Sequence, residues 1–87
     1  MYIIKGQVIS SVNDFYIIKT SETSYFILES SSELDINDTL HFDDDTVGHV
    51  DFITESLGND FELDGIVQWE GLGSFEECSE ILVLAHS

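Results

Sequence analysis

Phe61-Glu62-Leu63-Asp64-Gly65-Ile66-Val67-Gln68-Trp69-Glu70 alternates with period two. Phe61, Leu63, Gly65, Val67 and Trp69 fall on one face, and Glu62, Asp64, Ile66, Gln68 and Glu70 on the other. Successive side chains point to opposite faces of an extended chain, so this pattern predicts a half-buried strand with an acidic outer face. Trp69 is expected in the core on this reading.

The chain on either side reads mostly as further strands. Tyr2 to Val12 is rich in Ile and Val, and Asn13-Asp14 separates it from Phe15-Tyr16-Ile17-Ile18-Lys19-Thr20. Asn and Asp both tolerate the positive φ of a tight hairpin turn. Ser21-Glu22-Thr23-Ser24 turns the chain into Tyr25-Phe26-Ile27-Leu28, which completes a meander. The serine run Ser30-Ser31-Ser32 reads as a loop. Asn37-Asp38 leads to a short strand, Thr39-Leu40-His41-Phe42, with Asp43-Asp44-Asp45 as its turn. A strand from Thr46 to Glu55 and a loop at Gly58-Asn59-Asp60 lead back to the opening segment.

The last segment has two readings. Ser74-Phe75-Glu76-Glu77 has capping-box spacing, Ser followed three residues later by Glu. Phe75, Cys78, Leu82 and Ala85 would share one face of a helix, whereas Ile81-Leu82-Val83-Leu84 reads as a buried strand. One helical turn over Ser74 to Ser79 followed by a closing strand is the favoured arrangement, with a single longer helix as the alternative. The fold expected for residues 1–87 is a mainly β, single-domain antiparallel barrel or curved sheet. It has six or seven short strands and a short helical segment near the C-terminus. The strand order is compatible with SH3-like or OB-like barrels.

Charge is the most unusual feature. Of the 18 Asp and Glu residues, all but Asp14 and Glu22 lie from Glu29 onward, where no Lys or Arg occurs. Lys5 and Lys19 are the only basic residues besides three histidines, and the formal net charge is -16. Self-repulsion on this scale costs stability, and solubility alone asks for roughly 2 to 8 units. Acidic chains of low hydrophobicity are usually disordered, but this one is 43% hydrophobic and 11% aromatic, enough for an interior. The charge opposes direct binding to nucleic acid or to an anionic membrane. It favours a strongly basic protein partner.

Cys78 is the single cysteine, which allows no internal disulfide and suits a reducing compartment. The N-terminal apolar stretch is too short for a signal peptide, and no run approaches a membrane span. A cytoplasmic location in the host cell is expected.

The acidic residues group as Asp43, Asp44, Asp45 and Asp51; Glu62, Asp64 and Glu70; and Glu76, Glu77 and Glu80. A single such run is ordinarily a solvated outer face. One sign throughout, with no basic residue interspersed, points instead to carboxylates that stand in for phosphates. These ten residues are the expected partner-binding set. His41, Asp43, Asp44, Asp45, His49 and Asp51 invite a metal reading, but no recognised ligand spacing is present. Counted from Asp43, the EF-hand pattern fails at Val47 and Thr54. No metal, cofactor or catalytic residue is expected. The lone Cys78 reads as a small buried hydrophobe, and the serines lack a nucleophile elbow.

In size and one-sided acidity the chain resembles small acidic phage-type inhibitors that mimic nucleic acid, the anti-CRISPR and anti-restriction class. That resemblance implies a non-enzymatic inhibitor acting on a defence nuclease or CRISPR surveillance complex. It would bind the basic nucleic-acid-binding surface there and compete with DNA or RNA. The alternatives are an immunity protein for a basic nuclease toxin, an acidic adaptor subunit unrelated to nucleic acid, and a salt-adapted domain. A homodimer through an exposed strand edge is a further expectation.

Overall fold

A computed structural model describes residues 2–85, without the side chain of Ala85, so the expected place of that side chain on the helical face lies outside the description. The elements are β1 (Ile4–Val12), β2 (Phe15–Ser21), β3 (Ser24–Glu29), β4 (Thr39–Phe42), β5 (Gly48–Thr54), β6 (Gly58–Leu72) and α1 (Phe75–Ala85). They form two antiparallel meanders, β1-β2-β3 and β4-β5-β6. Pairing of β1 with β4 and of β3 with β6 closes them into a six-stranded barrel in the order β1-β2-β3-β6-β5-β4. Closure gives every strand a neighbour on both sides among the described residues. No helix among them is long and apolar enough to cross a membrane.

The turns follow local chemistry. Asn13 takes the positive φ of the β1–β2 hairpin, 57°, while Asp14 does not. The β5–β6 turn falls at residues 55–57 and not at the expected Gly58-Asn59-Asp60. Gly58, with φ 87°, opens β6, since only glycine enters the left-handed region there without a steric cost.

Inside the barrel, Val8, Ile18, Phe26, Leu28, Leu40, Phe42, Val50, Phe52 and Val67 form a closed core. Phe42 stacks edge-on to Phe26 with ring centroids 5.1 Å apart, and lies 5.2 Å from Phe52. Leu34 joins this core from the β3–β4 connection. Tyr16 secures that connection. Its hydroxyl donates to the Ser32 carbonyl at 2.9 Å and accepts from the Leu34 N–H at 3.2 Å.

A second apolar layer lies outside the barrel. Ile17 on β2 and Ile27 on β3 point outward and are covered by Cys78 and Leu82 of α1, with Leu72 beside them. Ile81-Leu82-Val83-Leu84 is therefore helix, and the expected closing strand is not formed. The reason is physical: the ring of strands is already complete, and the outward isoleucines need an apolar cover. The capping box forms one residue wider than usual. Glu77 N–H donates to Ser74 Oγ at 3.2 Å, and Gly73 N–H donates to Glu77 Oε2 at 3.1 Å.

Candidate functional site

β4, β5 and β6 form a wall, the other half of the closed ring from β1, β2 and β3; α1 packs on β2 and β3, with Leu72 at the end of β6 beside it. Side chains at directly paired positions of an antiparallel ladder share a face. On the outer face of this wall, Asp51 pairs with Asp64 and Ile53 with Glu62. Asp43 joins from the end of β4. Its N–H donates to the Asp51 carbonyl at 3.4 Å, and Asp51 N–H donates to Asp43 Oδ1 at 3.3 Å. Asp43, Asp51, Asp64 and Glu62 thus form one surface. Carboxylates two apart along a strand are roughly 6.5–7 Å apart, and opposite ones have Cβ atoms about 5 Å apart.

Little positive charge offsets them. Tyr2 O–H donates to Glu62. His49 Nε2 lies 3.1 Å from Asp64 Oδ2, and His41 Nε2 lies 3.0 Å from Glu55 Oε2. The only other ion pair among the described residues is Lys19–Glu22, at 3.3 Å on the far side. Each of these histidines has its own carboxylate, and among the described residues no three His, Cys, Asp or Glu side chains converge on a metal position.

The remaining expected site residues divide. Asp44 shapes the turn before β5: its Oδ1 accepts from Thr46 N–H at 3.0 Å. Hydrogen bonds from Thr46 hold its carboxyl below the ordinary range. Asp45 is half-buried in the same turn. Glu70 reaches across to accept from Val47 N–H at 2.5 Å. These three border the acidic surface and shape the loop between β4 and β5. Glu76, Glu77 and Glu80 are exposed on α1 and do not join it.

Gly65 is required behind the surface. A Cβ there would meet the Glu29 carbonyl oxygen at 2.7 Å, because β3 and β6 approach closely at that point. Ser30 is buried beside it and donates to the Asp64 carbonyl at 2.9 Å. An open cleft of about 280 Å³ lies here, lined by Asp14, Glu29, Ser31, His49, Asp64 and Ile66 among others. Cys78 is fully buried. Burial, with a smaller contribution from the Glu77 charge, pushes its thiol up to about 11, so it stays protonated near neutral pH.

Trp69 does not take the core position expected from the alternation. It is 43% exposed on the outer surface and is not part of the core. The sequence reading also missed Glu29, Glu55, Ile66 and Val47 as neighbours of the site. Their placement depends on which strands pair and in what register, and no local pattern encodes that. No protein-family model, curated protein or solved structure matches the chain.

Proposed function

We propose that this chain is a non-enzymatic acidic inhibitor. It occupies the basic nucleic-acid-binding surface of a defence nuclease or CRISPR surveillance complex and competes there with DNA or RNA. The observation that carries the reading is the surface built from Asp43, Asp51, Asp64 and Glu62. Like charges placed directly opposite in a sheet destabilise it. The fold carries that cost on one wall without an interspersed lysine or arginine, which favours a role for the wall outside folding.

The chemistry follows from what a phosphate-binding surface offers. Its Lys and Arg side chains form charge-assisted hydrogen bonds with anionic oxygens. Carboxylates at strand spacing present such oxygens on a rigid scaffold, so few degrees of freedom are lost on binding. Complementary charge also speeds encounter, most strongly at low salt. Inhibition then needs no reaction, only occupancy.

The test is a pull-down with the tagged chain from a lysate containing defence nucleases, at low and at raised salt. A basic nucleic-acid-binding protein retained at low salt and displaced by added DNA or RNA supports the proposal. Retention that added nucleic acid leaves unchanged contradicts it, as does the absence of any basic partner.

A further inference from the structure

Trp69 is turned outward by a specific device. β3 meets β6 with Leu28 opposite Val67 but Ile27 opposite Trp69, so Gln68 is an extra residue on β6. A second register break follows before Tyr25 meets Leu72. Bulges of this kind re-aim side chains. Leu63, Gly65 and Val67 keep the inward phase, and Trp69 leaves it to share the outer face with Ile27.

Two more apolar side chains stand nearby on that face. Ile66 is 43% exposed, and Val47, just before β5, is 60% exposed with its N–H held by Glu70. The outer face of β6 therefore runs Glu62, Asp64, Ile66, Trp69, with acid at one end and an aromatic at the other. Lys19 lies on β2, with β3 between it and β6, and Lys5 lies on β1 opposite His41 of β4, with β4 and β5 between it and β6. A second copy of the chain, at a net charge of -16, is repelled from the patch.

We infer that Trp69, with Ile66 and Val47, is the aromatic half of a two-part docking surface. The acidic half is Asp43, Asp51, Asp64 and Glu62, and the partner surface it fits is a basic groove carrying aromatic platforms, the kind that holds single-stranded nucleic acid. The inference rests on the functional reading above and narrows it. Single strands are held by cations that track the backbone and by aromatics that stack on exposed base faces. Duplex backbone recognition uses charge and hydrogen bonds to phosphate, with the bases kept stacked. An exposed indole beside carboxylates answers both parts of a single-strand groove. A charge-only surface would not need it.

Trp69 is the only tryptophan, so its emission reports on this patch alone. The full chain is titrated at low salt with two probes of equal charge, oligolysine and a peptide alternating lysine with phenylalanine. Affinities are measured by calorimetry for the wild type, Trp69→Ala and Trp69→Phe, after urea unfolding shows that the variants are folded. We expect the alternating peptide to bind the wild type about tenfold more tightly than oligolysine, given the usual strength of stacking. Trp69 emission should shift to the blue, Trp69→Ala should lose the preference, and Trp69→Phe should keep most of it. No preference in the wild type, or a preference unchanged in Trp69→Ala, overturns the inference while leaving oligolysine binding as support for the acidic surface. Failure of both peptides to bind removes that surface and the inference together. Emission that shifts with protein concentration alone would assign the patch to a second copy and also overturns it.

Discussion

Asp51 on β5 stands directly opposite Asp64 on β6, both on the outer face of the barrel. Opposed like charges in a sheet cost roughly 0.2–1 kcal/mol, and among the described residues the His49 imidazole is the only Lys, Arg or His side chain within ion-pair distance of either. Asp51→Asn should therefore stabilise the barrel by several tenths of a kcal/mol at low salt while weakening partner binding. Urea unfolding of the variant measures this. Loss of stability on the substitution would show that the pair is not a folding burden.

Added salt should stabilise the whole molecule. The screening length is about 30 Å at 0.01 M salt and about 8 Å at 0.15 M. The first exceeds the radius of gyration of 11.8 Å, so at low salt nearly every carboxylate feels the others. The melting temperature should climb between these concentrations and then level off. A flat profile contradicts the self-repulsion argument.

Core and surface aromatics should respond differently. Phe42 is fully buried between Phe26 and Phe52, and Phe42→Ala should cost about 3–5 kcal/mol. Trp69→Ala should cost only about 1 kcal/mol, because the side chain is half-exposed. Denaturant midpoints separate the two, and equal losses would place Trp69 back in the core.

Alkali should loosen the helix layer through Cys78. The folded thiol is raised from 9.0 to about 11, so the folded state holds the proton more tightly than the unfolded chain does. That contribution is complete below pH 9 and is lost as pH rises through 9 to 11, on the order of 3 kcal/mol in all. Wild type should fall relative to Cys78→Ala across that window. Parallel pH profiles would deny Cys78 the role.

These contrasts show which parts of the molecule were legible in the sequence. The alternation of Phe61 to Glu70 identifies β6, the Asn13-Asp14 pair the β1–β2 hairpin and the Ser74–Glu77 spacing the helix start. Each is a local signal with a local cause. The unbroken apolar run Phe15 to Ile18 carried a further message, since a strand apolar on both faces needs a cover outside as well as a core inside. That cover is α1, which is why Ile81 to Leu84 is helical. Trp69 was misplaced because a bulge changes the phase of a strand without changing its composition. The acidic site was legible as charge but not as a surface. The pairing of Asp51 with Asp64, and the separation of Glu76, Glu77 and Glu80 from both, are consequences of register and closure.

The central claim is that one wall of the barrel, not net charge, recognises the basic partner. Two double variants test it with the same change in charge: Glu62→Lys with Asp64→Lys on β6, and Glu76→Lys with Glu80→Lys on α1. Affinity is measured for the basic protein that the wild-type chain retains and nucleic acid displaces. The account predicts that the β6 variant loses binding and the α1 variant keeps most of it. Equal losses in the two would show that binding follows net charge alone and would contradict the account.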